Sequence, residues 1–213
     1  MAVKQVVRTT KSSQAKHAQR IFWVLVILTV VGIPVSLSLD RLAESRFRAR
    51  QWLPVLGTVS DFTLTESSGR PFSLKELART VWIADFMFTH CPGQCPRMNL
   101  EMSRLQKLLP PAIRFVSFTV DPGRDTPAVL AGYAASYAGE KGRWFFLTGD
   151  QKPLNRVAAS FHMSSIEDPN AHSIRLVLVD GNGRIRGYYD PLDARDVSKL
   201  VSDAEALVRK AGL

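Results

Sequence analysis

Beyond residue 53, apolar residues recur in two patterns that take turns along the chain, and these patterns predict β-strands and α-helices in succession. Short runs that alternate apolar with polar residues, or that are apolar throughout, are typical of strands. Apolar residues three or four positions apart are typical of one buried helix face. Strands are predicted over 61–65, 72–74, 81–88, 113–120, 144–147, 174–179 and 184–189, and helices over 74–79, 97–109, 127–138, 153–161 and 194–209.

Turn and capping residues support several of these boundaries. Glu66–Arg70 separates the first two strands and predicts an N-terminal β-hairpin, and Asp180–Gly183 predicts a second hairpin near the end of the chain. Ser73, three residues before Glu76, predicts a capping box at the start of a short helix. Strand–helix alternation followed by a late hairpin predicts an α/β domain, a mixed sheet flanked by helices, consistent with a thioredoxin-like architecture.

The residues ahead of this domain include an uncharged apolar run, Ile21–Leu39. A helix of this length can cross the hydrocarbon core of a bilayer, and a secretory signal sequence usually has a shorter apolar region. The run therefore predicts a single uncleaved transmembrane helix, while the small residues of Ser36–Ser38 leave cleavage as an alternative. The predicted organisation is a basic cytoplasmic tail over 1–20, a transmembrane anchor over 21–39, a linker over 40–53 and a globular domain over 54–213.

The net charge of +9 is concentrated around the apolar run, because residues 1–50 carry nine Lys and Arg against Asp40 and Glu44. Basic residues at that place fit lipid head groups, and they argue against a nucleic-acid partner for the domain. The basic tail favours a cytoplasmic N-terminus, and long domains are translocated largely regardless of the arginines that follow the run. The prediction is a single-pass protein of a bacterial cytoplasmic membrane, with its domain in the periplasm.

The only two cysteines, Cys91 and Cys95, follow the predicted strand over 81–88 and lie at the start of a helix. In α/β folds, ligands bind at the carboxyl ends of strands. If the helix begins within the motif, both side chains lie on one face, and free N–H groups lower the pKa of the Cys91 thiol. A disulfide that closes so short a loop stabilises little. The sequence therefore predicts a functional pair that either forms a redox-active disulfide or binds a soft metal.

A metal site needs a further ligand, and the four histidines are the candidates. His17 lies in the tail, His90 adjoins the first cysteine and so points to the opposite face, His162 ends a predicted helix, and His172 precedes a late strand. From periodicity alone, a lone histidine is more often a polar surface residue than a ligand. Two thiolates and one imidazole would favour copper, Cu(I) above all, whereas zinc normally takes a fourth ligand.

Three motifs in this order resemble the Sco/SenC family over about residues 54–210. They are Phe88-Thr89-His90-Cys91-Pro92-x-x-Cys95-Pro96, then Phe118-Thr119-Val120-Asp121-Pro122-x-Arg124-Asp125-Thr126-Pro127, then His172-Ser173 ahead of a strand that ends in Asp180-Gly181-x-Gly183. The resemblance implies a membrane-anchored, thioredoxin-like copper protein that helps to metallate the binuclear copper centre of cytochrome c oxidase. It also implies that Cys91, Cys95 and His172 bind the copper.

The chain departs from the family pattern at two positions. Many members have an acidic residue where Gly93 stands here, and an aspartate where Ala171 stands. Without these carboxylates the copper site is less negative, which alters the affinity for Cu(II) more than that for Cu(I). The oxidation state of the copper is open between Cu(I) and Cu(II).

Two functions are predicted. The first, which is not enzymatic, is a copper metallochaperone with the copper-centre subunit of cytochrome c oxidase as its client, and with other copper carriers or thiol reductases as further partners. The alternative is a thiol–disulfide oxidoreductase that uses Cys91 and Cys95, without His172, to reduce cysteines of the oxidase copper site or of other extracytoplasmic proteins. A peroxiredoxin-like peroxidase is disfavoured, because Thr89 lies two residues before Cys91 and not three.

Overall fold

The computed structural model describes residues 20, 22–23, 53–137, 142–163 and 174–212, and the chain divides into two units, Met1–Gln51 and Trp52–Leu213. In the first unit, Phe22 and Trp23 are helical, and their rings pack edge to face with centroids 5.9 Å apart. Within the described ranges, no helix has both the length and the apolar character that crossing a membrane requires. Apart from Phe22 and Trp23, the predicted anchor over 21–39 lies outside the described residues.

Eight strands among the described residues of the second unit form one mixed sheet. They are β1 (Gly57–Thr58), β2 (Thr63–Glu66), β3 (Pro71–Ser73), β4 (Trp82–Met87), β5 (Arg114–Thr119), β6 (Trp144–Thr148), β7 (Leu176–Val179) and β8 (Arg184–Tyr189). Across the sheet the order is β1-β8-β7-β4-β5-β6-β2-β3. The neighbours β4, β5 and β6 are parallel, and the other pairs are antiparallel. This arrangement confirms the predicted α/β domain with a mixed sheet and an N-terminal hairpin, β2–β3.

Helices connect the central strands. They are a short 3-10 helix (Leu74–Leu77), α1 (Gln94–Leu108), α2 (Pro127–Tyr137), α3 (Gln151–Ser160) and α4 (Ala194–Ala211). Because α1 follows β4 and precedes β5, the cysteine motif lies between the carboxyl end of a fully buried central strand and the amino end of a helix. This is the edge of the sheet at which α/β folds bind ligands.

Aromatic side chains form the core near the carboxyl ends of β4 and β5. The rings of Phe86 and Phe118 stack with centroids 5.2 Å apart, and Phe161 packs edge to face on Phe86 at 5.4 Å. Phe62 packs edge to face on Phe118 at 5.4 Å. Such pairs add directional stabilisation to the burial of apolar area, so the carboxyl ends of β4 and β5, next to the cysteine motif, are closely packed.

Arg143, which is 6% exposed, holds the carboxyl end of α1 against the start of β5. Its Nε donates to the Ile113 carbonyl at 3.0 Å, and its terminal nitrogens donate to the carbonyls of Gln106, Leu109 and Pro110 at 2.6–2.8 Å. The last carbonyls of a helix have no intrahelical N–H partner. A single guanidinium therefore provides hydrogen-bond donors for carbonyls at the end of α1 and holds that end in place.

Most boundaries shift by one or two residues, and three differences from the prediction are larger. The helix predicted over 74–79 is one turn of 3-10 helix, because the Arg79 N–H donates to the Gly181 carbonyl at 2.8 Å and Arg79 turns to a left-handed φ of 60°. Helix α1 begins at Gln94 and not at 97. Strand β1 was not predicted, because two residues carry no periodic pattern.

Candidate metal centre

Cys91 lies in the turn after β4, and Cys95 lies in the first turn of α1. The Cys91 N–H donates to the Phe88 carbonyl at 3.3 Å, and Gly93 is the N-cap residue of the helix. Cys91 therefore precedes α1, and the expectation that helical i, i+4 spacing aligns the two sulfurs is corrected: the turn brings them together. The Cys91 sulfur accepts a hydrogen bond from the Cys95 thiol, and both cysteines are free.

The Cys91 thiol is the one that ionises more readily. Partial burial raises its pKa, but hydrogen bonds from the Cys95 thiol and from the backbone N–H groups of Gly93, Cys95 and Gln94 outweigh the burial, so the pKa lies below its ordinary value. These N–H groups belong to the start of a helix, where no helical carbonyl accepts from them. Cys91 is thus a partly exposed thiol that favours the thiolate, the form that attacks disulfides and binds metals.

Cys95 is the opposite of Cys91 in its acid–base behaviour. It is 3% exposed, and burial raises the pKa of its thiol to about 12. The hydrogen bond to Cys91 and the negative charges of Cys91 and Asp85 raise the pKa further, against a lowering contribution from the Phe88 backbone N–H. Cys95 therefore keeps its proton until a metal ion or a second sulfur replaces it.

Asp85 is a buried acid on β4 that the sequence analysis missed. Complete burial raises its pKa to about 7, although Ser117 Oγ donates to its Oδ1 at 2.5 Å. Trp144 Nε1 donates to Ser117 Oγ at 2.8 Å, and Asp85 Oδ2 has no hydrogen-bond partner within the part of the chain that the structure describes. The only signal in the sequence was one acidic residue within the otherwise apolar run over 81–88.

Asp125 is a second buried acid, and it ties the cysteine turn to the loop after β5. Thr89 donates to it twice, from its hydroxyl at 2.5 Å and from its backbone N–H at 3.2 Å, and Thr119 Oγ1 donates to Oδ2 at 2.5 Å. The carboxyl is 0% exposed. Sequence reasoning named Asp125 only as part of a motif and gave it no role.

The histidines fall into two groups. His90 is exposed, and its Nδ1 lies 3.1 Å from Thr89 Oγ1. His162 ends α3 with a left-handed φ of 54°, and its Nε2 lies 3.1 Å from where a Cβ on Gly57 would be. His17 and His172 lie outside the described residues, so the assignment of His172 as a copper ligand stays a prediction.

The described residues supply two metal ligands at this place. Among residues 53–137, 142–163 and 174–212, no group of three or more His, Cys, Asp or Glu side chains is arranged to hold a metal ion. Cys91 and Cys95 are adjacent, and thiolates are the ligands that Cu(I) prefers. The pair therefore fits copper with a further ligand from outside the described residues, and it equally fits reversible disulfide formation.

Known proteins share both the sequence and the fold of this chain. The SCO1/SenC family model matches residues 55–209. The SCO1 protein homolog of Bacillus subtilis is 32% identical over 162 residues, which is 72% of this chain and 84% of the relative. The residues that the family model matches include the cysteine motif and His172.

Solved structures agree with the sequence comparison. BsSco, a member of the Sco family of cytochrome c oxidase assembly proteins in which a disulfide switch was identified, is 32% identical with a TM-score of 0.67, over 75% of this chain and 99% of that one. Yeast Sco1 with copper bound is 26% identical with a TM-score of 0.56, over 71% and 90% of the two chains. Since the family model covers well over half of the sequence, this chain belongs to the SCO1/SenC family.

Proposed function

We propose that this chain is a copper metallochaperone that binds copper through Cys91, Cys95 and His172 and delivers it to the binuclear copper centre of cytochrome c oxidase. The observation that carries the proposal is the adjacent thiol pair at the carboxyl end of β4, with the pKa of Cys91 lowered. Yeast Sco1, which is similar in fold, has been solved with copper bound.

The pairing of β4 with β7 supports His172 as the third ligand. The strands are antiparallel, with Ile83 opposite Leu178 and Ala84 opposite Val177, so β7 starts beside the middle of β4 and its entry is on the side of the carboxyl end of β4. His172 precedes the first residue of β7 by four positions. Four extended residues span about 14 Å at most, so a ligand from this segment is within reach of the cysteine turn.

The acid–base properties of the pair bear on copper uptake. Cys91 favours the thiolate, whereas Cys95 is protonated at neutral pH. A sulfur binds metal as a thiolate, so the Cys95 proton must leave when both sulfurs bind. Copper uptake is therefore coupled to proton release, and it is weaker at lower pH.

The test is copper binding by the purified full-length protein in detergent, reduced and without oxygen, in competition with a chromophoric Cu(I) chelator. The wild type should bind one copper ion per chain. Cys91→Ser and His172→Ala should each weaken binding by more than about 100-fold, because each removes a ligand. His162→Ala is the matched control and should bind as the wild type does. Unchanged affinity in His172→Ala would contradict the assignment.

The opposed pKa shifts favour a second candidate function, thiol–disulfide exchange. The Cys91 thiolate attacks a disulfide sulfur of the partner and forms a mixed disulfide, and the partner's other sulfur leaves as a thiolate that takes up a proton. Cys95 then loses its proton and attacks Cys91. The partner leaves with two thiols, this chain keeps a Cys91–Cys95 disulfide, and a cellular dithiol must reduce it again.

His172→Ala separates the two functions. Reduction of a model disulfide needs only the cysteines, so this variant should keep that activity while it loses copper binding. Cys95→Ser should instead accumulate the mixed disulfide, because no second thiol releases the partner. If the wild type reduces a model disulfide no faster than Cys95→Ser, thiol exchange is not a function of this pair.

We also propose that residues 21–39 anchor the protein in the cytoplasmic membrane, with the domain over 54–213 in the periplasm. The support is the length of the apolar run and the basic residues before it. Alkaline phosphatase folds only in an oxidising compartment, so a fusion after the domain should be active. A fusion that is inactive although expressed would contradict this orientation.

A further inference from the structure

A basic cavity of about 600 Å³ opens at the end of the domain where β7 turns into β8. Four of its lining side chains are cationic: Arg79, Arg184, Arg186 and Lys210. Among the described residues of the lining, Asp180 is the single acidic one. Its Oδ1 accepts from the backbone N–H groups of Asn182 and Arg184, at 2.9 and 3.1 Å, so one of its oxygens serves the turn itself. The cavity therefore carries an excess of positive charge.

Arg186 forms the buried wall of this cavity, with 9% of its side chain exposed. Its Nη1 donates to Asp180 Oδ2 at 3.1 Å, and its Nη2 donates to the Leu53 carbonyl. Its Nε is buried and has no hydrogen-bond partner among the described residues. A buried guanidinium N–H without an acceptor costs free energy, and within the described part of the chain Arg186 is held in the wall of the cavity by its two terminal nitrogens alone.

Arg79 is held at the opposite side of the cavity in a strained backbone conformation. Its φ is 60°, which is unusual for a residue with a side chain. The Arg79 N–H donates to the Gly181 carbonyl at 2.8 Å, and Gly181 lies so close that a Cβ on it would be 2.8 Å from Arg79 Cα. The turn therefore fixes the direction in which the Arg79 side chain leaves the backbone. Non-glycine residues held in this way are often functional.

We propose that this cavity binds a phosphate group. Guanidinium groups donate paired N–H bonds that match the oxygens of a phosphate, and three of the four cations are arginines. The fixed backbone of Arg79 and the anchored guanidinium of Arg186 both lower the reorganisation that binding requires. The site is independent of the cysteine pair and needs no copper.

The source of the phosphate is a lipid headgroup or free phosphate, and the position of the cavity bears on this choice. Arg186 bonds to Leu53, which is the last residue of the linker predicted over 40–53. The cavity thus adjoins the residue at which the predicted linker enters the domain. Anionic phospholipids attract basic sites close to the membrane surface, so a headgroup there would orient the domain on the bilayer.

The experiment uses the full-length, copper-free protein in two settings. In neutral detergent, inorganic phosphate is titrated by calorimetry. In nanodiscs, hydrogen–deuterium exchange of residues 79–81 and 180–186 is compared between phosphatidylcholine alone and phosphatidylcholine mixed with phosphatidylglycerol. Arg79→Gln/Arg184→Gln should weaken phosphate binding, or the lipid-dependent protection, by about tenfold or more. Lys152→Gln/Arg156→Gln is the matched control, because it removes the same charge from the exposed side of α3.

Each outcome decides the proposal. Phosphate binding in detergent identifies a site for free phosphate, and protection that appears only with phosphatidylglycerol identifies a headgroup site. Lack of response in both settings overturns the proposal, and so does a response that the control variant loses equally. If the double arginine variant does not fold, Lys210→Gln, on the exposed end of α4, provides the comparison. Copper binding is measured separately, so failure here leaves the metallochaperone proposal untouched.

Discussion

Asp125→Ala should detach the cysteine turn from the loop after β5. The carboxylate is fully buried and accepts from the Thr89 hydroxyl at 2.5 Å, the Thr89 N–H at 3.2 Å and the Thr119 hydroxyl at 2.5 Å. The substitution removes the acceptor of all three bonds and leaves the hydroxyl of the buried Thr119 without its acceptor. Since a lost bond of this kind costs about 1 kcal/mol and an orphaned buried group about 1–3 kcal/mol, the free energy of unfolding should fall by at least about 3 kcal/mol.

The assay is equilibrium urea unfolding, combined with hydrogen–deuterium exchange of residues 88–96. Exchange should rise in this segment because Asp125 is its anchor to the rest of the sheet. Asp125→Asn is the matched control: the amide keeps the size and one acceptor oxygen, and the threonine hydroxyls can rotate to accept from its NH₂ group, so its loss should be smaller.

A double-mutant cycle sharpens the result. Thr119→Val removes one donor, so Asp125→Ala should cost about 1 kcal/mol less in that background than in the wild type. The reasoning is refuted if Asp125→Ala lowers the free energy of unfolding by under about 1 kcal/mol and leaves exchange of the cysteine turn unchanged.

Three further predictions concern the thiols, the buried acid and the glycines. Iodoacetamide at neutral pH should modify Cys91 much faster than Cys95, because the pKa of the Cys91 thiol is lowered and that of the Cys95 thiol is raised. Mass spectrometry of the reduced protein measures the two rates, and equal rates would contradict the prediction. Burial raises the pKa of Asp85 from 3.8 to about 7, so between these pH values the native state binds more protons than the unfolded state. The free energy of unfolding should therefore fall by up to about 1.4 kcal/mol per pH unit as the pH rises from about 4 to about 7. Asp85→Asn should flatten this slope in urea unfolding between pH 5 and pH 7, and an identical slope would exclude Asp85 as its source. Gly181→Ala should destabilise the fold by about 1–3 kcal/mol because its Cβ would overlap neighbouring backbone, whereas Gly132→Ala, with open space around it in α2, should stabilise the fold by about 0.5–1 kcal/mol in thermal unfolding.

The periodic parts of the fold could be predicted from the sequence because their signals are local. The apolar run over 81–88 is β4, and the recurrence of Met98, Met102 and Leu105 marks the buried face of α1. The thiol pair could likewise be predicted, because the only two cysteines lie four positions apart where an apolar strand gives way to a helix, although the turn that brings them together could not. The two-residue strand β1 could not, because its partners are the distant residues Ile185 and Arg184.

The surroundings of the site depend on contacts between distant parts of the chain. Thr89 and Asp125 are 36 residues apart, and Asp85 and Ser117 are 32 residues apart. Neither pair leaves a periodic trace, so the role of each acid emerges only when the strands are aligned side by side. Arg79 looked like the last residue of a helix, and the carbonyl that redirects it comes from Gly181, about a hundred residues later.

The guanidinium clamp of Arg143 has a consequence for how the cysteines can move. Arg143 donates to the Gln106 carbonyl in α1 and to the Leu109 and Pro110 carbonyls just after it, whereas at the cysteine end the N-cap residue is Gly93, which has no side chain to cap the helix. We therefore expect a rearrangement of the sulfurs to be confined to the cysteine turn and the first turn of α1, while the carboxyl end of the helix stays in place. A partner protein can then react with the thiols without disturbing the sheet and the rest of α1.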